Sequence, residues 1–406
     1  MRSRLAVAAV ATFGLFAATA YAATDTITLG AAVSLTGKYS INGKYTRDGY
    51  NLAVKRINDA GGLKVGDKTY KLEVKYYDDE STPARAAQLA ERLVDQDGVK
   101  FVLGPYSSGL TKAMAPVTER YKVPMVEANG ASRSLFTKGY KYLFAVLSTS
   151  DQYLSSAVDL MDEQVEKNGG DPSSVKIAGA FQNDPFSQDV RQGVVNEGKQ
   201  YGMRMVIDDQ LPPQLDDMSA TLTKVKALKP DLLTVSGHAK GAILAVNQIA
   251  EMKVHADMIA MTHCDSAGII KKYGKNAEYI LCASQWDRSL AYKDDLFGSA
   301  EDFAELVEKE YGYAPPYQVA ESAAAVEVYA DAFERAGSLD PRKVRDALAA
   351  TDTQTFYGNI DFNDQGENIA KPMVLYQVQD GEYKVVAPTK WAASKVRYPI
   401  PPWSER

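Results

Sequence analysis

The sequence predicts an α/β protein built as two doubly wound lobes. Short apolar strands alternate with amphipathic helices along most of the chain, which gives right-handed βαβ units and a parallel sheet covered on both faces. The strands are too many for one ordinary sheet. A length of 406 residues, 45% of them hydrophobic and 24% charged, suits about two domains of roughly 100–200 residues, each able to bury its own core. Strand number alone leaves a single barrel open as the alternative. The composition excludes intrinsic disorder and a small cystine scaffold.

The first 22 residues stand apart as a secretory signal peptide. Arg2 and Arg4 make a basic start, Leu5–Ala18 is an apolar run too short to span a bilayer, and Ala20-Tyr21-Ala22 fits the small-x-small cleavage pattern. No Cys lies near the expected cut after Ala22, so a lipid anchor is not expected and the mature chain is placed free in an exported compartment. Net charge is −6 over the whole chain, and losing the two arginines makes the mature protein more acidic still. A nucleic-acid partner is disfavoured.

Ile27–Val33 is a buried strand that enters a loop at Ser34-Leu35-Thr36-Gly37. A helix follows, because Tyr50, Ala53, Val54 and Ile57 recur at helical spacing and Gly61-Gly62 can end it in the left-handed conformation. Leu72, Val74 and Tyr76 alternate as a strand. Thr82-Pro83 offers a cap and first-turn proline to a helix with Ala86, Leu89, Ala90, Leu93 and Val94 on its apolar face. Val99–Leu103 is the next strand. Strands then fall at Pro124–Ala128, Val175–Ala180, Met203–Asp208, Leu232–Val235 and Met258–Thr262. Between them lie helices at Tyr153–Glu166, Gln188–Tyr201, Met218–Leu228 and Ala242–Met252. Later come helices at Glu301–Tyr311 and Tyr317–Ala336, a segment Phe356–Phe362, a turn at Asn363–Gly366 and a strand near Met373–Val378. The proline-rich end, Tyr398–Trp403, reads as an extended tail.

Catalytic signatures are missing: no G-x-S-x-G, no H-E-x-x-H, no phosphate-binding loop and no G-x-G-x-x-G after the first strand. The Asp361–Gly366 segment resembles a calcium loop only in part, since Pro372 stands where the bidentate Glu belongs. Cys264 and Cys282 could pair or stay as buried thiols, and their spacing matches no metal site. No cofactor or metal is expected.

Polar residues at strand ends are the candidates for binding, because parallel sheets open their carboxyl ends to a ligand crevice. Leu103-Gly-Pro-Tyr106-Ser107-Ser108-Gly109 joins a strand to a helix; its serines can cap that helix, or its free N–H groups and hydroxyls can hold a carboxylate. Asn129-Gly-Ala131-Ser132 follows the next strand. Glu127 ends an otherwise apolar strand, so it needs either an altered pKa or a partner, Arg133 or another base on the structural reading and a cationic ligand group on the functional one. His238 and His263 each follow a strand, and either a pocket role or a hydrogen-bonded loop role suits them. His255 reads as exposed.

These segments resemble the type I periplasmic binding proteins, in particular the branched-chain and hydrophobic amino-acid group that serves ABC importers. The likeness is carried by Leu35–Gly43, Arg56–Leu63, Tyr77–Pro83, Gly104–Ser108 and Val123–Ser132, in that order. It implies two Rossmann-like lobes joined by three crossovers, near Val146–Ser150, Ala283–Trp286 and Tyr357–Asn359. Lobe one would hold residues 23–147 and 286–357, lobe two 148–285 and 358–388, with a tail at 389–406. It also implies that Ser107, Ser108, Asn129, Ala131 and Ser132 hold a ligand carboxylate, with Tyr39 or Asn42 nearby, and that Phe186 faces it from the other lobe. Where amino-acid binders use a tyrosine this chain has His238, and the ammonium partner would be Asp265 after a small loop shift. Without it an organic acid lacking an amine becomes the ligand, and Phe186, Tyr106 and Trp286 could pack a ring.

The expectation is therefore an exported, monomeric, non-enzymatic binder of a small carboxylate, foremost a hydrophobic amino acid, delivered to a membrane ABC permease. Aromatic or other organic acids are the alternative, as is presentation of the ligand to a sensor. An exported enzyme using His238 or His263 as base with Asp265 as orienter is the remaining class.

Overall fold

The computed structural model describes residues 25–406, so the expected signal peptide lies outside the described residues. The first sheet contains β1 (Asp25–Val33), β2 (Leu63–Val65), β3 (Lys68–Asp78), β4 (Val102–Leu103), β5 (Met125–Glu127) and β6 (Leu143–Ala145). Its order is β2-β3-β1-β4-β5-β6, parallel except where β2 meets β3. The helices between its strands are α1 (Ser40–Asp59), α2 (Pro83–Glu91) and α3 (Ser108–Tyr121).

The chain then crosses to α4 (Gln152–Lys167) and a second α/β layer. This holds β7 (Lys176–Gln182), α5 (Pro185–Gln200), β8 (Arg204–Leu211), α6 (Ser219–Leu228), β9 (Leu232–Ser236), α7 (Ala239–Glu251), β10 (Met258–Thr262), α8 (Cys264–Ala267), α9 (Ile269–Tyr273) and β11 (Leu281–Ser284). It returns through two small hairpins, β12 (Lys293–Asp294) with β13 (Gly298–Ser299) and β14 (Asp352–Thr355) with β15 (Gly358–Asp361). Between the hairpins lie α10 (Ala300–Tyr311), α11 (Tyr317–Ala336) and α12 (Pro341–Ala349). Finally β16 (Val374–Gln379) and β17 (Glu382–Ala387) complete a seven-stranded second sheet, β17-β16-β11-β10-β9-β7-β8. The two sheets make the two doubly wound lobes, and the single barrel is excluded.

Helix α11 is apolar on almost every face because it is interior: it packs on α1 and on the first sheet, and Tyr317 to Phe333 are nearly all buried. Asp340 accepts from the backbone N–H of Arg342 and Lys343 and, with Pro341 in the first turn, starts α12, a helix the sequence pattern did not show. Strands β6 and β11 are equally new, each being only three or four residues long. Helices α5 and α7 begin three residues earlier than their apolar periodicity indicates, because Asp184 caps α5 ahead of Pro185 and His238 stands at the N-cap of α7. Thr82 precedes α2 without capping it, its hydroxyl donating instead to Glu80 O.

Three connections join the lobes. Two fall where expected, at Val146–Asp151 and Gln285–Trp286. The third runs later than Tyr357–Asn359: Ala145 still pairs with Glu367 on the first lobe, so the chain crosses between Asn368 and Met373. Cys264 and Cys282 form a disulfide between α8 and β11, with Cα atoms 5.9 Å apart. The tail is extended apart from single 3-10 turns at Thr389–Trp391 and Trp403–Glu405, and Ile400 N–H donates to Asp257 O while Trp403 Nε1 donates to Val254 O.

Candidate ligand cleft

The cleft forms where the carboxyl ends of the two sheets face each other. On the first lobe, the loops after β4 and β5 close around Glu127. A Cβ at Gly104 would lie 2.0 Å from Glu127 Oε2, and one at Gly130 would lie 2.5 Å from Thr111 Oγ1, so both positions need glycine. Glu127 accepts from Thr111 Oγ1 at 2.7 Å and from Asn129 N–H. Burial raises its pKa to about 7 against these hydrogen bonds. It has no basic partner among the described residues, since Arg133 pairs with Asp151 and Glu367. Glu127 thus shapes the loops and lies behind them.

These loops present their polar atoms unevenly. Ser107 occupies the N-cap of α3, yet its hydroxyl makes no cap bond and has no partner among the described residues. Ser108 Oγ accepts from Ser132 N–H at 3.0 Å, tying one loop to the other. Asn129 donates through Nδ2 to Ser322 Oγ at 3.1 Å while its Oδ1 has no partner among the described residues. Ala131 contributes a carbonyl to Ser150 N–H, and Ser132 Oγ reaches Asp189 on α5 of the other lobe. Asn42 is buried within α1.

The second lobe answers with rings. Phe186 lies in the first turn of α5, His238 occupies the N-cap position of α7 without a capping bond, and His263 precedes α8 at φ 63°. Tyr106 crosses the cleft: its Oη lies 2.6 Å from His238 Nδ1 and 2.9 Å from His263 Nε2. One hydroxyl can donate to one ring and accept from the other. Burial, reinforced by repulsion from His238, drops the His263 pKa to about 3, so that ring is neutral. His238 Nε2 lies 3.5 Å from Asp184 Oδ2. Burial opposes the Asp184 charge, but attraction to His238 and hydrogen bonds from His238 and Ser187 outweigh it and hold the pKa below its usual value. Tyr39 packs edge-on against Tyr106 and His238, with centroids 5.5 and 4.7 Å away.

Between these groups is a narrow pocket with a cavity volume of about 10 Å³, walled by the rings of Tyr106, Tyr153, Phe186, His238, His263 and Tyr317, with Ser107, Ser108, Asn129 and Glu321 as its other polar groups. The N-termini of α3, α5 and α7 converge on it, an arrangement that favours an anion. Of the residues singled out by sequence, Tyr106, Ser107, Ser108, Asn129, Phe186, His238 and His263 meet here. Tyr39 and His238 also line an adjoining outer cavity with Lys38 and Gln182. Glu127, Ala131, Ser132 and Asn42 stand behind the wall.

Asp265 does not reach the pocket. Its carboxylate accepts from Ser266 N–H at 2.7 Å and Tyr317 N–H at 3.4 Å, and it lines a separate groove with Tyr45, Trp286 and Tyr313. Trp286 packs on Phe303 and Phe356 and donates to Phe356 O, away from the pocket. Tyr153, Tyr317 and Glu321 were not foreseen; the signal was a glutamate one turn after Tyr317, in the run Tyr317–Val326 that is otherwise free of charge.

A family model described as periplasmic binding protein matches residues 26–382. The leucine-, isoleucine-, valine-, threonine- and alanine-binding protein of Pseudomonas aeruginosa is 25% identical over 365 residues, covering 87% of this chain and 92% of that one. The branched-chain amino-acid transporter substrate-binding protein LivJ of Streptococcus pneumoniae, solved with isoleucine, superposes with a TM-score of 0.77 at 23% identity, covering 90% of this chain and 100% of that one. A solute-binding protein of an ABC transporter from Rhodopseudomonas palustris HaA2, solved with p-hydroxybenzoic acid, gives a TM-score of 0.75 at 19% identity, covering 94% and 99%.

Proposed function

The chain belongs to the periplasmic binding protein family, whose members here are binders and not enzymes, and from that premise we propose that it reversibly captures a small carboxylate with an apolar body and delivers it to a membrane ABC permease. The observation that carries this reading is the unpartnered Ser107 hydroxyl and Asn129 carbonyl beside a wall of rings. Buried polar atoms without partners are costly, on the order of 1–3 kcal/mol each, and a ligand carboxylate and its hydration water can meet them. Isoleucine and p-hydroxybenzoic acid, held by the two solved relatives, share this chemistry.

Transport requires closing on the ligand and opening for the permease. Lobe one supplies hydroxyls and the α3 N-terminus, lobe two supplies Phe186, His238 and His263, and only contacts made to both lobes favour closure. Export by the leader at residues 1–22 and action as a monomer belong to the same reading. The test is thermal shift of the protein from Ala23 onward, unfolded and refolded to strip carried-over ligand, against isoleucine, phenylalanine, benzoate and p-hydroxybenzoate. A saturable rise in Tm with at least one is expected; no rise with any of them rejects capture of this class.

A further inference from the structure

Glu321 reaches the pocket from α11 and is buried there. Among the described residues its only side-chain hydrogen bond comes from Tyr357 Oη at 3.3 Å. We infer that Glu321 sets the ligand class: its carboxyl enters the pocket as a hydrogen-bond donor, and the site takes carboxylates that carry no amine. This rests on the capture reading above.

An α-ammonium needs a carboxylate inside the pocket, and the other acids nearby are committed elsewhere. Asp265 lies in the separate groove, Asp184 is held by His238 and Ser187, and Glu127 is enclosed by Thr111 and its own loop amides. Glu321 is the one left. The groups facing it decide its form. Tyr153, Tyr106 and Tyr317 around it are neutral, Glu127 and Asp265 act on it with like charge, and only the Tyr357 hydrogen bond and the more distant Lys371 charge favour ionisation. Lys371 makes no ion pair with Glu321; its amine donates to Gln285 O and lies 4.2 Å over the Tyr357 ring. Burial drops the Lys371 pKa to about 7, which weakens the one opposing charge. Burial pushes Glu321 well above the usual carboxylate range, with Glu127 adding to the shift. A protonated carboxyl donates to a ligand carboxylate, whereas an ammonium would face it without a counter-charge.

The experiment is calorimetry at pH 7 with two pairs differing only in the amine, phenylalanine against 3-phenylpropionate and isoleucine against 3-methylpentanoate, with benzoate added. For the wild type, the acids without amine are expected to bind at least about tenfold more tightly than their amino-acid counterparts. Glu321→Gln, which keeps an N–H donor and no charge, is expected to hold affinity for those acids within about threefold. Tighter wild-type binding of the amino acids overturns the inference and leaves capture standing, and the wild-type comparison holds whether or not the variant folds. Binding of none of the five ligands rejects the capture reading on which the inference rests.

Discussion

Tyr106 of the first lobe is hydrogen-bonded to His238 of the second at 2.6 Å, and the same hydroxyl meets His263 at 2.9 Å. The lobes are therefore joined at the pocket by a side chain that also forms its wall. Each such bond contributes about 0.5–1.5 kcal/mol net, and an abandoned buried partner costs more.

Tyr106→Phe keeps the ring and removes both bonds. Closure is expected to weaken by about 1–3 kcal/mol, raising the apparent Kd roughly 5- to 150-fold with little change in Tm of the free protein. Calorimetry checks this, and small-angle scattering should show a smaller ligand-induced compaction. Unchanged affinity would mean that the contact does not contribute to closure.

The neighbouring serines separate a binding hydroxyl from a loop tie. Ser107→Ala removes an unpartnered hydroxyl and should weaken ligand binding by about 0.5–1.5 kcal/mol without lowering the Tm of the free protein. Ser108→Ala also removes the acceptor for Ser132 N–H, so affinity and Tm should both fall. Equal behaviour of the two variants in calorimetry and thermal denaturation would contradict this division.

Glu127 gives the fold a signed pH dependence. Its folded pKa of about 7 exceeds the ordinary 4.5, so the folded chain holds this proton more tightly than the unfolded chain. The associated stability is complete below about pH 4.5 and is lost as pH rises through about 7. Glu127→Gln has no such loss. Its stability relative to wild type should improve by on the order of 3 kcal/mol between pH 4 and pH 8, read by urea denaturation. A pH-independent difference would show that Glu127 does not titrate in this range.

The disulfide closes a loop across a sequence separation of 18 residues, and α8 starts at Cys264 directly after His263. Reduction should cost about 3 kcal/mol of stability and also weaken binding by loosening His263. Ligand affinity unaffected by reduction would mean that β10 alone fixes the histidine.

Much of the cleft was readable because parallel strands gather their carboxyl ends at one edge, so polar residues following different strands become neighbours. Ser107, Asn129, His238 and His263 were found that way, although they are distant in sequence. Phe186 came from family likeness. Asp265 was misplaced because His263 adopts φ 63° and a four-residue helix follows, which turns the acid toward Tyr317 N–H and the outer groove. Glu321 and Tyr317 escaped because α11 belongs to the first lobe after a long excursion through the second, and its near-continuous apolar pattern records burial without naming the neighbour. The third crossover shifted for a similar reason: the bridge between Ala145 and Glu367 is an isolated pairing with no periodic signal.

The most direct measurement is titration calorimetry of the refolded protein from Ala23 onward with benzoate and isoleucine, repeated on Ser107→Ala. Saturable one-site binding of at least one carboxylate, weakened several-fold in the variant, is the expected result. Absence of heat with both, or binding indifferent to Ser107, would contradict carboxylate capture at the start of α3.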